Sequence, residues 1–340
     1  MSLIFNLPNP PLSPPLLSTG FAVGASTLFT FTYVASLYLS PAGRLSAGKQ
    51  DAQGNVMDRD HPVVMRARIK SASLATALTV IATGVGLWVK GVVPRAGWLL
   101  DTINISRLVG LPLPVPTLLT SNTLPIQPPL TTYLTLLATH ILSPLLLTSL
   151  LFLGPLYTSF LHRQLPLQRF FSFHRDIIRK FTSLSGIRNF LIGPLTEELV
   201  FRSSILTLLF FSGVSRTKLI WVSPGFFAIA HAHHAWNAFL AGGGTRSAAV
   251  RAGVAGVVQL GYTSVFGWYA NFLFLRSGGV VAPVVAHVVC NVMGLPDLVA
   301  AGERCRTAIW TAHATGIFLF ARFLFPLTSS TVYGPSLYWQ

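Results

Sequence analysis

Eight runs of about 20 mostly apolar residues follow one another along this chain, near 17–39, 71–93, 131–154, 188–211, 217–240, 250–275, 279–300 and 307–326. Each is long enough to cross a bilayer as a helix. No other feature limits the fold as strongly, because in lipid every backbone polar group must be satisfied within the span. The expected architecture is therefore all-α: a polytopic transmembrane bundle of about eight spans, forming a single integral-membrane domain over 1–340. The composition agrees. Charged residues make up 10% of the chain, where a soluble domain carries roughly a quarter. The sixth and seventh runs are the least regular, since Gly, Tyr and polar residues interrupt them, and no internal repeat is visible.

The net charge of +15 would suggest nucleic acid in a soluble protein. Here the bases cluster in loops between apolar runs, which fits loop charge that orients the chain and touches anionic lipid, with no nucleic-acid partner. Loop 41–70 carries Arg44, Lys49, Arg59, Arg66, Arg68 and Lys70. Segment 160–190 carries Arg163, Arg169, Arg175, Arg179, Lys180 and Arg188. Between them, 100–130 holds only Asp101 and Arg107. The positive-inside rule places 41–70 and 160–190 in the cytosol and both termini on the far side, with Lys90 and Arg95 as a mild counter-signal. The first basic residue is Arg44, so the first apolar run lacks the basic flank of a cleavable signal and is expected to stay as a span. Residues 166–183 alternate aromatic and aliphatic side chains with bases. They suit an amphipathic helix on the cytosolic membrane surface, or a linker packed on the bundle.

Two of the chain's three glutamates, Glu197 and Glu198, stand side by side inside the fourth apolar run. A membrane-embedded charge costs roughly 2.5–3.5 kcal/mol on insertion scales, and neighbouring carboxylates resist joint ionisation. Arg202 lies one helical turn after Glu198 and shares its face, so these two can form an ordinary ion pair. Glu197 is rotated about 100° away and has no partner on its own helix. Glu198 therefore reads as supporting and Glu197 as the reactive carboxylate. The next run brings His231, His233 and His234, with Phe227 one turn before His231. The seventh run brings His287 and Asn291, also one turn apart. A lone membrane histidine is usually a packed, hydrogen-bonded residue. Three within four positions are harder to assign to packing. Counted from the ends of their runs, Glu197, His231, His287 and Asn291 all fall in the middle third of a membrane roughly 30 Å thick.

The stretches TEELVFR (196–202), FAIAHAHH (227–234) and HVVCNVMGLP (287–296) resemble, in order, the E-E-x-x-x-R, F-x-x-x-H and H-x-x-x-N/D motifs of the type II CAAX prenyl endopeptidases, the Ras-converting branch of the wider CAAX-protease and bacteriocin-processing family. Each motif alone is weak; the ordered triplet is specific. The resemblance implies a catalytic core over about 188–300 in a multi-pass protein of the endoplasmic-reticulum membrane, with its site reached from the cytosol. It implies removal of the last three residues from farnesylated or geranylgeranylated CAAX proteins such as Ras-like small GTPases. Glu197 and His231 would activate water, His287 and Asn291 would form the oxyanion hole, Glu198 and Arg202 would support them, and Phe227 would pack the site. No cofactor is expected, although His231 and His287 would be the ligands if the enzyme used zinc.

Three rival readings fit the sequence less well. The H-E-x-x-H pentapeptide of zinc proteases is absent. Cys290 lies between His287 and Asn291 on one helix, whereas a nucleophilic triad normally draws on separate elements. A proton-coupled transporter would also use intramembrane Glu and His, but the inverted repeats of such folds are not seen.

Overall fold

A computed structural model describes residues 15–44, 50–54, 57–93, 95–112, 130–295 and 305–339, and no strand forms among them. The helices are α1 (Thr19–Leu39), α2 (Pro62–Val89), α3 (Trp98–Leu108), α4 (Leu130–Leu151) and α5 (Leu153–Leu161), then α6 (174–182) and α7 (184–211). They continue with α8 (Arg216–Trp221), α9 (Pro224–Ala230), α10 (Ala232–Ala241), α11 (Arg246–Ser277), α12 (Val281–Met293), α13 (Arg306–Leu327) and α14 (Ser330–Tyr333). Among the described residues α1, α2, α4 and α13 are long and apolar enough to cross a membrane. Much of what they present outward is aliphatic or aromatic, including Phe31, Leu78, Ile81, Leu142 and Phe318. That surface is unfavourable in water and suits lipid.

Local chemistry sets the ends. Ser18 caps α1 by accepting from the Phe21 N–H, and Pro62 opens α2, where a missing N–H leaves nothing unsatisfied. Gly278, in the left-handed region at φ 67°, closes α11.

Two expected spans are shorter than the apolar runs suggested. The run 217–240 is three helices, not one. Pro224 starts α9, and the chain turns again at His231, whose N–H bonds to Ala228 rather than to the carbonyl four residues back. The run 279–300 yields the 13-residue α12, which ends before Gly294 at φ 67°; residues 296–300 lie outside those described. Of 100–130, residues 100–108 belong to α3, Leu130 begins α4, and residues 113–129 lie outside those described. The surface segment expected over 166–183 is helical over 174–182, with Phe170, Phe173, Ile177 and Ile178 exposed.

The helix α7 runs through the centre and packs on α1, α2 and α12. Its backbone widens into π-helical turns at Ile187–Ile192 and Leu199–Leu206, on either side of the paired glutamates. Such turns re-aim side chains by inserting a residue into the helical register, and they recur at functional sites.

Candidate active site

Glu198 and Arg202 are fully buried, and the Arg202 Nη1 donates to the Glu198 Oε1 at 2.9 Å. A charge pair removed from water is costly unless its hydrogen bonds are also met, and here they are met in part: the Arg202 Nη2 and the Glu198 Oε2 have no hydrogen-bond partner among the described residues. The Arg202 Nε donates to the Asn271 Oδ1 at 3.0 Å, and the Asn271 amide donates in turn to the Leu219 carbonyl and the Ser223 hydroxyl. The guanidinium lies over Phe227, 4.6 Å from the ring centre, and beside Phe266 at 5.5 Å. Gly267 lets α11 close on Pro224 there, since a Cβ at that position would stand 2.6 Å from the proline Cβ.

The Glu198 Oε1 accepts a second bond, from the His287 Nδ1 at 2.7 Å. The His287 Nε2 therefore points the other way, 3.7 Å from the Glu197 Oε2. At His231 the backbone break leaves the Phe227 carbonyl without its usual helical donor, and the ring Nδ1 fills that place at 2.8 Å. A carbonyl must receive a proton, so Nδ1 carries the hydrogen, and in the neutral ring Nε2 keeps its lone pair. That lone pair lies 4.0 Å from the Glu197 Oε2. The Phe227 ring packs against His231 at 4.5 Å, and the Phe266 ring against His287 at 4.6 Å.

Glu197, which has no partner on its own helix, thus faces two histidines from two other segments. A separation of 4.0 Å is too long for a direct hydrogen bond and suits one bridging water. These three residues line a cavity of about 1810 Å³, together with Asn291, Phe227, Tyr33 and Tyr262. His233 and His234 also line it, but the His233 Nδ1 bonds to the Ala230 carbonyl.

Asn291 and His287 differ in setting. His287 is buried, whereas Asn291 is exposed near the end of α12, and its amide donates to the Asn189 carbonyl on α7 at 2.9 Å. One N–H of that amide remains for another acceptor.

Any metal would have to be held by Glu197, His231 and His287. Ligands around zinc lie about 2.0–2.1 Å from the ion. Among the described residues no group of three His, Cys, Asp or Glu is arranged to hold one, and the steps below are derived from the side chains alone.

Asn271, Asn189, Phe266 and the pair Tyr33–Thr196, joined at 3.0 Å beside Glu197, were not singled out in the sequence. Asn271 left one signal, an amide side chain within an apolar run that also holds Gln259.

Comparison with known proteins follows the same residues. The family model for type II CAAX prenyl endopeptidase Rce1-like proteins matches 179–293. The probable CAAX prenyl protease 2 of Schizosaccharomyces pombe is 31% identical over 87% of this chain and 89% of its own length. The human CAAX prenyl protease 2 is 31% identical over 88% and 81% respectively. The Arabidopsis thaliana protein of that name is 38% identical over 47% of this chain, an alignment that spans 50% of the Arabidopsis protein. No solved structure matches. A membrane helix bundle with a buried Glu–Arg–His core and a facing glutamate is the class of protein described so far. The chain belongs to the type II CAAX prenyl endopeptidases, a family of peptide hydrolases.

Proposed function

We propose that this enzyme releases the C-terminal tripeptide of prenylated CAAX proteins with a water activated by Glu197 and His231. The observation that carries the reading is the approach of the Glu197 carboxylate to the Nε2 of both His231 and His287 inside one cavity. Water held between the Glu197 Oε2 and the His231 Nε2 attacks the carbonyl carbon of the prenylated cysteine, and Glu197 takes its proton. The C–N bond to the next residue then breaks, and the same proton passes to the leaving amine. The products are a prenylcysteine carboxylate and a free tripeptide.

Negative charge grows on the carbonyl oxygen during attack, and donors aimed there lower the barrier. The free N–H of Asn291 is one such donor. His287 serves as the second only in its doubly protonated form, because the single N–H of the neutral ring is held by Glu198. Glu198 and Arg202 position it. The cavity wall includes Leu151, Phe152, Phe320, Leu324 and Phe325, an apolar face suited to an isoprenyl chain arriving through lipid.

Support for the substrate class comes from the relatives' names and from basic loops suited to an anionic cytosolic leaflet. An endoplasmic-reticulum location, a core over 188–300 and Ras-like substrates belong to the same proposal. The test is hydrolysis of a farnesylated CAAX peptide by purified protein, with and without a chelator. Release of the tripeptide in both conditions is expected. No release would overturn the reading, and loss restored only by zinc would turn Glu197, His231 and His287 into metal ligands.

A further inference from the structure

The same cavity is lined by three arginines, Arg59, Arg68 and Arg188. Two are engaged with neighbouring polar groups. The Arg188 Nη2 binds the Asp60 carboxylate at 2.7 Å, its Nη1 the Arg59 carbonyl, and its Nε the Asn189 side chain. Asp60, held below the usual carboxylate range chiefly by the Arg188 hydrogen bond, stays charged opposite it. The exposed Arg59 lies 3.7 Å from the same Asp60.

Arg68 differs. Its Nε donates to the Gly43 carbonyl at 3.0 Å, and its guanidinium rests on the Tyr38 ring at 5.1 Å. The ring is fixed by hydrogen bonds between the Tyr38 hydroxyl and the Asn237 amide. The Arg68 Nη2 is buried and has no hydrogen-bond partner among the described residues. A buried N–H without an acceptor is costly. A guanidinium edge held in place at a cavity wall matches a carboxylate from outside the chain.

Its level in the bundle fits one particular carboxylate. The hydrogen bond between the Tyr33 hydroxyl and Thr196 sets Tyr33 beside Glu197. Tyr38 is five residues further along α1, about 7.5 Å along the axis toward loop 41–70, and Arg68 lies on its ring. Three extended residues span about 10 Å. We propose that Arg68 receives the free α-carboxylate of the substrate's last residue, so that the distance from Arg68 to Glu197 sets the length of the peptide released. This rests on the hydrolase reading above. It adds the recognised group and the residue that recognises it.

The experiment compares farnesylated CAAX peptides ending in a free acid with the same peptides ending in a carboxamide. For the wild-type enzyme, kcat/KM is expected to fall about 10–100-fold on the amide, the range of one charge-assisted bidentate contact. Arg68→Gln should lose a similar factor on the acid, mostly in KM, and little further on the amide. Arg68→Lys, which keeps the charge without the fork, should fall between. A wild type that cleaves acid and amide within twofold of each other overturns the proposal, with no variant needed. So does Arg68→Gln if it slows both substrates alike or keeps the wild-type preference for the acid. If the wild type fails on the acid, the hydrolase reading itself is lost, and this inference with it.

Discussion

Glu198 and His287 stand 89 residues apart in the chain and 2.7 Å apart in space. That contact turns the imidazole so that its second nitrogen faces Glu197. Neighbouring carboxylates thereby differ in setting: one orients a ring, and the other faces the Nε2 atoms of His231 and His287.

Glu197→Gln keeps the side chain's shape and removes its ability to take a proton. Cleavage of a prenylated peptide should fall at least 10²–10⁴-fold, the usual share of a general base. The melting profile in detergent should match the wild type. A folded variant with near-normal turnover would remove Glu197 from the chemistry.

Glu198→Ala should behave differently. It strips the ion-pair partner from the fully buried Arg202, and unpairing a buried charge costs about 3–5 kcal/mol. Loss of thermal stability should accompany loss of activity. If stability survived and activity alone fell, Glu198 would have a direct chemical part.

His231→Ala removes one of the two groups proposed to hold the water and should be nearly as inactive as Glu197→Gln. His233→Ala and His234→Ala should be milder, since neither has an ion-pair contact to Glu197 like that of His231. Comparable losses in all three single variants would show that the cluster acts as a unit.

Asn291→Ala should reduce kcat about 10²–10³-fold, as for loss of one oxyanion donor, with little change in KM. The Asn189 carbonyl would also lose its partner. A rise in KM alone would make Asn291 a substrate-binding residue.

Topology can be tested independently. Tags within 41–70 or 160–190 should be accessible from the cytosol, and a tag in 100–130 should be protected. The reverse pattern would refute the orientation taken from loop charge and put the site's entrance on the wrong side for a cytosolic substrate.

Much of the core was legible because helices carry a period. Glu198 with Arg202, Phe227 with His231 and His287 with Asn291 are each four apart, and one helical turn explains why each pair shares a face. Contacts between helices had no such rule behind them. Nothing in the spacing shows that His287 answers to Glu198 rather than Glu197, or that Asn271 completes the shell of Arg202. The π-helical turns beside the glutamates depend on how α7 packs and leave no mark in the hydropathy. The break at His231 was concealed for a related reason: its run is apolar throughout, and only Pro224 hints that the chain turns.

The hydrogen bonds linking Glu198, Arg202, Asn271, Ser223 and His287 join α7, α11, α12 and the elbow between α8 and α9. On the side of α4, α5 and α13 the cavity is bounded by Leu151, Phe152, Phe320, Leu324 and Phe325, side chains that hold their places by packing alone. Directional bonds resist sliding, whereas aliphatic and aromatic surfaces can shift past one another at small cost. One wall is therefore free to adjust its apolar side chains, while the other keeps the Glu198, Arg202 and His287 atoms at a constant spacing.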